Sequence, residues 1–297
     1  MAESAPAVVG VTQRDVDLGG GRTLHVYDSG LPDDAERLVV VWHHGTPNIG
    51  APPAPLFPAS DRLGIRWVSY DRPAYGGSTR RIGRDAASSA KDVAQVADAL
   101  GVERFAVMSH SGGGPHALAC AALLPQRIVA VAVVAGLAPY GAEGLDWFAG
   151  MAPSGVASLH AALEGLEAKE RYEASAPEDP SAFVAADHAA LAREWSWFGG
   201  IVRAGLAHGL GGLVDDDIAY VTPWGFGTEE VVAPTLLVHG RLDRMVPSSH
   251  GEWLAARLPS AELWLTPDDG HISVLRSAPH ALEWLGARAE GPLVGAE

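Results

Sequence analysis

The sequence predicts an α/β fold in which a mostly parallel, doubly wound central sheet carries one inserted helical lid. Three observations point there. From Val11 to Ala138, short β-rich apolar runs alternate with helical stretches, the pattern of parallel strands joined by right-handed crossovers. Between about Pro139 and Gly227 the alternation stops, and the chain is helical, Ala-rich and without a convincing strand. Two further strands then follow, each leading into a helical stretch. At roughly 100–200 residues per domain, 297 residues allow one large domain with an insertion or two small ones.

Taken in order, Val11–Leu18 and Arg22–Tyr27 read as an opening pair of strands around the turn Gly19-Gly20-Gly21. Leu38–Trp42 and Trp67–Tyr70 are apolar runs ended by Gly, Pro or charge, as strands covered on both faces should be. Ala87–Leu100 places Val93, Val96, Ala97 and Leu100 on one helical face, with charges opposite. Phe105–Met108 is the next strand, Gly112–Leu124 a helix and Ile128–Val134 another strand. Pro234–His239 and Leu263–Leu265 complete the strands. Within the insertion, Trp147, Phe148, Trp195, Trp197 and Phe198 cluster, while Asp215-Asp216-Asp217 reads as a solvated turn or helix cap rather than a metal site.

Composition narrows the function. With 36 acidic against 21 basic side chains, the net charge of −15 repels phosphate backbones and anionic lipid, so neither nucleic acid nor membrane is expected as a partner. The single cysteine, Cys120, excludes an intrachain disulfide and a cysteine metal cage. Met1-Ala-Glu-Ser-Ala-Pro has neither a basic n-region nor a long apolar h-region. The longest apolar run, Ile128–Ala138, falls short of the roughly 20 residues a membrane span needs. The expected compartment is the cytoplasm.

The chemistry concentrates where strands end. In Val107-Met108-Ser109-His110-Ser111-Gly112-Gly113-Gly114 a buried strand turns sharply into a helix, the setting of a nucleophile elbow. Such a turn needs tiny residues two before and two after the nucleophile. Centring it on Ser111 places Ser109 and Gly113 there; centring it on Ser109 would place Val107 in a clash. Ser111 is the candidate nucleophile, with the helix N-terminus aimed at it. A serine hydroxyl needs a base, and the base an orienting carboxylate. Asp243 follows the strand at 234–239, and His271 follows the strand at 263–265. All three sit at the C-terminal ends of parallel strands, where open α/β sheets place their sites. His43, His44, His110, His116 and His239 compete as base and read as structural; Asp268 and Asp269 compete as acid, too near His271 in sequence to point at it. For a developing oxyanion, the backbone N–H of Gly112 is one donor. In His44-Gly45-Thr46-Pro47 the proline has no N–H, so the second donor falls on Thr46. Ser111 precedes the helical segment while Asp243 and His271 follow it, so a site built from all three requires one sheet domain, 1–138 and 228–297, with 139–227 as the lid.

From about Arg22 to Trp284 the chain resembles the α/β-hydrolase superfamily, in its single-lid branch with an H-G-x-P oxyanion loop. The marks are His44–Pro47, Asp71-Arg72-Pro73-Ala74-Tyr75-Gly76-Gly77-Ser78, the Ser111 elbow, the Gly240–Pro247 acid loop and Gly270-His271. The Asp71–Ser78 segment resembles a loop that recurs in the family for structural reasons. A serine at the elbow argues against the dehalogenase and epoxide-hydrolase relatives, which use aspartate there.

The resemblance implies a serine hydrolase cleaving an ester, or related acyl bond, of a small to medium, largely apolar substrate, with no metal or organic cofactor. Its alternatives are a proline iminopeptidase-like aminopeptidase or amidase, a C–C bond hydrolase, an acyltransferase, and a ligand receptor without turnover. The lid residues Trp147, Trp195 and Trp197 are expected to line an apolar pocket, with Glu194 available to hold a substrate ammonium. The lid is expected to open for entry and exclude water during turnover. The sequence leaves the oligomeric state open.

Overall fold

Strands that are apolar throughout have no solvent face, and the sheet is built around four of them. The computed structural model describes residues 10–30 and 38–289; the Met1–Pro6 expectation and the outer ends of the core segments lie outside these residues. The strands are β1 (Thr12–Gly19), β2 (Arg22–Asp28), β3 (Leu38–His43), β4 (Ile65–Tyr70), β5 (Phe105–His110), β6 (Ile128–Val134), β7 (Thr235–Gly240) and β8 (Ala261–Thr266). They form one sheet in the order β1-β2-β4-β3-β5-β6-β7-β8. The β1–β2 and β2–β4 pairings are antiparallel and the remaining five parallel. Central β3, β5, β6 and β7 are almost wholly buried, whereas edge strand β1 is exposed and polar, which discourages edge-to-edge pairing.

Side chains alternate across the sheet and feed two cores. Val41, Val107, Val131 and Leu237 join one, Val40, Met108, Ala132 and Leu236 the other. Helices α1 (Phe57–Arg62), α2 (Ser88–Ala99) and α3 (Gly114–Leu123) lie before the insertion. Helix α2 buries Val93, Val96 and Ala97, one helical stripe, against the first core. After β6 come five helices and no strand: α4 (Pro153–Leu163), α5 (Leu166–Glu173), α6 (Ala185–Leu191), α7 (Phe198–Leu206) and α8 (Gly211–Val221). Beyond β7, α9 (Ser248–Arg257) returns to the first face; α10 (Ala278–Ala289) covers the second. No helix of the described residues is long and apolar enough to cross a membrane.

Strands β4, β5 and β8 run longer than their apolar runs suggest, β5 continuing through Ser109 and His110. Arg66 interrupts β4 but pairs with Asp28 of β2 at 2.7 Å, and Glu262 sits on the solvent side of edge strand β8. The expectation for Asp215–Asp217 is corrected outright: all three are buried on α8. Each meets a cation from elsewhere in the chain, Asp215 with Arg80 at 2.8 Å, Asp216 with Arg72 and Arg84, and Asp217 with Lys169 at 2.5 Å. A carboxylate can be buried when so paired, and these pairs fasten the insertion to the core and to itself.

Candidate active site

At the end of β5 the chain reverses through Ser111, whose φ of +55° is a conformation L-residues seldom adopt. The neighbouring glycines are demanded by contact. A Cβ on Gly113 would lie 2.2 Å from the His43 carbonyl oxygen; one on Gly112 would lie 2.2 Å from the Tyr220 hydroxyl. A 3-10 turn over Ser111–Gly113 precedes α3, so the helix begins two residues later than Gly112. Strain held at a turn that presents a side chain is a recurrent feature of functional sites.

Asp243 and His271 arrive from the loops after β7 and β8. The His271 Nδ1 lies 2.8 Å from Asp243 Oδ2, and its Nε2 lies 2.9 Å from Ser111 Oγ. Since the carboxylate only accepts, the neutral ring carries its proton on Nδ1 and offers the Nε2 lone pair to the serine. Asp243 Oδ1 accepts from the Met245 and Val246 amides at 2.8 and 2.9 Å. Burial opposes the Asp243 charge, but the facing His271 and His239 rings and the Val246 amide hold its carboxyl below the ordinary range. Burial also opposes charging His271, yet the charge and hydrogen bond of Asp243, with the charge of Asp187, raise its pKa above 6.5.

The competing groups are placed elsewhere. Asp268 is exposed, and Asp269 pairs with Arg276 at 2.6 Å. His43 and His116 are buried beneath the elbow. His239 Nε2 donates to the Val246 carbonyl at 2.8 Å. His44 spends Nδ1 on the Gly45 carbonyl at 2.8 Å and accepts the Arg72 amide at Nε2 at 3.1 Å. His110 donates from Nε2 to the His271 carbonyl at 2.9 Å, so it supports the candidate base rather than replacing it. Burial, followed by the neighbouring His271, lowers its pKa to about 3 and keeps it neutral.

The Gly45–Thr46 loop runs alongside the elbow: a Cβ on Gly45 would lie 3.4 Å from Ser111 Cβ, and one on Gly112 2.8 Å from Thr46 Oγ1. Thr46 Oγ1 donates to Asp216 at 2.6 Å and accepts from the Tyr220 hydroxyl at 2.7 Å. Arg72 donates to the His44 and Gly45 carbonyls and to Thr46 Oγ1. Its guanidinium also forks onto Asp216 at 3.1 and 2.6 Å, and Arg84 and Tyr75 reach the same carboxylate at 2.5 and 2.8 Å. Burial opposes charge on Asp216; Arg72 and Arg84 overcome it and hold the carboxyl well below 3.8. Helix α8 thus reaches under the loop that borders the serine.

Ser111, His271 and Thr46 open onto a cavity of about 480 Å³. The expected lid residues are not in its wall, and this corrects the pocket assignment. Trp147 is buried elsewhere, its Nε1 donating to the Ala138 carbonyl at 2.8 Å and its ring against His250. Trp195 faces the second core with Trp197 packed on it, and Glu194 is exposed. The wall residues are Phe183, Leu191, Phe198, Val202 and Arg203, with Met245 from the acid loop. Aromatic clustering located the right stretch, but α7 presents Phe198 and Val202, one turn apart, to the cavity, while Trp195 lies in the turn before α7 and faces the core. Of the residues that brace the site, Asp187 went unread and Asp216 was read as solvated. For Asp187 the available signal was local, an acid three residues after Val184 at a helix start, and spoke only of capping. Among the described residues no group of three or more His, Cys, Asp or Glu could hold a metal ion.

Residues 39–278 match the family described as alpha/beta hydrolase fold. The chain is 28% identical over 279 residues to the 2-hydroxy-6-oxononadienedioate/2-hydroxy-6-oxononatrienedioate hydrolase of Cupriavidus pinatubonensis, covering 88% of this chain and 89% of that one. It is 27% identical over 218 residues to the pimeloyl-(acyl-carrier protein) methyl ester esterase of Nitrosomonas europaea, covering 71% and 80%. Among solved structures, a thermophilic esterase from Thermogutta terrifontis superposes with a TM-score of 0.67 at 18% identity, over 93% of this chain and 99% of that one. With the family match spanning most of the sequence and the sheet order and elbow in place, the chain belongs to the alpha/beta hydrolase fold family.

Proposed function

We propose that this enzyme is a serine hydrolase acting by acyl transfer on a small to medium, mainly apolar substrate. The unbroken Ser111–His271–Asp243 hydrogen-bond chain at the mouth of an apolar cavity carries the reading. Ser111 Oγ attacks the carbonyl carbon while His271 Nε2 takes the hydroxyl proton. Asp243 holds the Nδ1 tautomer and balances the imidazolium. The Gly112 and Thr46 amides receive the oxyanion. His271 then protonates the leaving group, and a water molecule, deprotonated by the same nitrogen, releases the acid and frees Ser111. Residues 139–227 roof the cavity and serve as its lid.

The test is covalent labelling with a fluorophosphonate probe and turnover of a 4-nitrophenyl ester series. Wild type takes up one probe per chain at Ser111 and turns over short esters. Ser111→Ala does neither, with a loss of several orders of magnitude in kcat. Absence of labelling in folded wild type, or equal labelling of Ser111→Ala, overturns the assignment.

A second reading is C–C bond hydrolysis of an oxo-acid. It is favoured by Arg203, the only charged side chain in the wall other than the His271 site, which makes no ion pair among the described residues. The Cupriavidus relative is named for a dioate, a substrate with two carboxylates. Comparing kcat/KM for such a dienedioate with that for 4-nitrophenyl butyrate decides between the two.

A further inference from the structure

His271 has four polar groups, and each is engaged by a different element. Asp243 takes Nδ1, Ser111 meets Nε2, and His110 of β5 donates to the carbonyl. The fourth, the backbone N–H, is taken by Asp187 of α6 from within the insertion. Asp187 is 1% exposed, and its carboxylate meets backbone amides alone. Oδ1 accepts from Ile272 and Ser273, both at 2.8 Å; Oδ2 accepts from Val184 at 3.1 Å and His271 at 3.2 Å. Three consecutive amides of the histidine loop thus close on one carboxylate, a concave anion cradle made of main chain. The cradle depends on Gly270, where a Cβ would lie 2.1 Å from Asp187 Oδ2.

Only the Val184 contact belongs to the capping of α6, the N3 carboxylate reaching back to the N-cap amide. The other three contacts do nothing for α6. They fix the main chain that carries the imidazole. Asp187 also forms no ion pair among the described residues, so no cation cancels its field. The charged and titratable groups facing the His271 ring are Asp243, His239, His110, Asp187 and, across the cavity, Arg203.

We propose that Asp187 is a positioning residue for His271: a carboxylate from the helical insertion that fixes the histidine loop through three amides and favours the imidazolium formed during catalysis. The inference rests on His271 acting as the base in the proposed reaction. Its two effects separate experimentally, because one is read from the ring's titration and the other from turnover.

The test compares wild type with Asp187→Asn and Gly270→Ala, each shown to be folded by thermal melting and near-ultraviolet circular dichroism. The His271 ring is titrated by NMR in protein carrying labelled histidine, with 4-nitrophenyl butyrate as the kinetic probe. Removing the negative charge destabilises the imidazolium, so in Asp187→Asn the His271 titration and the acid limb of kcat/KM both move to lower pH. Loss of position appears as a fall of about tenfold or more in kcat with KM within about twofold. Gly270→Ala keeps the charge but pushes the carboxylate off the cradle, giving a fall in kcat with a smaller titration change. It serves as the test if Asp187→Asn does not fold. A folded Asp187→Asn with unchanged His271 titration and unchanged kcat overturns the proposal, as does a loss confined to KM. If the titration moves but wild type has no serine-dependent turnover, the base assignment fails while the positioning of the ring stands.

Discussion

Two of the insertion's buried carboxylates hold loops of the candidate site, and they are compensated in opposite ways. Asp216 of α8 sits between two guanidinium groups and beneath two hydroxyls, and braces the loop bordering Ser111. Asp187 of α6 has only peptide N–H groups, and braces the loop carrying His271. A full counter-charge makes the first a strong structural pin. Partial charges leave the second with a field that the neighbouring imidazole feels. The comparison also bears on motion. A rigid swing of 139–227 away from the sheet would strip both carboxylates of their partners.

Breaking the arginine-held pin has the largest expected effect. Asp216→Ala leaves Arg72 and Arg84 buried without their partner, and removing one member of a buried pair costs about 3–5 kcal/mol. Chemical denaturation should show this as a lower midpoint with little change in slope. Asp187→Asn keeps a side chain able to accept from some of the same amides, so its midpoint should fall less while its kcat falls more. Equal losses of stability in the two variants would remove the distinction.

Acid separates the pins from the rest of the core. His43, His44, His110, His116, His239 and His250 are buried and held neutral, their pKa values lowered first of all by burial, to about 4 for His116 and His250. A group with a lowered folded pKa binds more protons when unfolded, so its contribution is complete above about pH 6.5 and is lost as pH falls. Each such histidine removes about 1 kcal/mol per pH unit within its window. The Asp216 carboxyl is also lowered, but from 3.8, so its contribution persists throughout this range. The melting temperature should therefore fall steeply between pH 6.5 and 4.5 in wild type. In Asp216→Asn it should fall by a similar amount from a lower start. A melting temperature flat across that interval would contradict the neutral-histidine core.

What the sequence disclosed follows the range of the interactions. Ser111, Asp243 and His271 were legible because a tight turn and a strand end are local events, marked by Gly112, Gly113 and Gly270. Thr46 was singled out by elimination within a tetrapeptide, and the structure places it in the cavity wall beside the elbow. The pins were not legible. Asp216 meets Arg72 across 144 positions and Asp187 meets His271 across 84, so nothing near either residue announces its partner. Three adjacent aspartates look solvated until a cation is found for each. The tryptophans misled for another reason: all three lie in turns outside the helices, where apolarity predicts burial but no helical period tells whether a side chain faces the cavity or the core.

Thr46→Val tests the junction between pin and site at smaller scale. The valine keeps the shape and the backbone N–H but removes the hydroxyl that joins Asp216, Tyr220 and Arg72. Leaving such buried partners unsatisfied costs about 1–3 kcal/mol. With 4-nitrophenyl butyrate, kcat should fall and KM hold, because in the proposed reaction the loop is engaged only as the oxyanion forms, and Thr46→Ser should restore most of the rate. A loss in KM alone would detach the loop from the transition state.

The smallest effect belongs to the third charge of the insertion. Arg203 is exposed at the cavity wall and makes no ion pair among the described residues, so nothing is left unsatisfied when it is removed. Arg203→Ala should change stability by less than about 0.5 kcal/mol, as surface substitutions away from buried networks do. Its effect, if the cavity takes an acid, lies in the substrate. A solvent-facing charge pair is worth about 0.2–1 kcal/mol, which raises KM for a dioate by up to about fivefold and weakens with added salt. A neutral ester should be indifferent to the change. Equal kinetics on both substrates would return the cavity to the uncharged class, whereas a selective and salt-sensitive loss would mark Arg203 as the carboxylate's partner. Buried charge on α6 and α8 braces the loops of the site; exposed charge on the intervening α7 is free to select what enters.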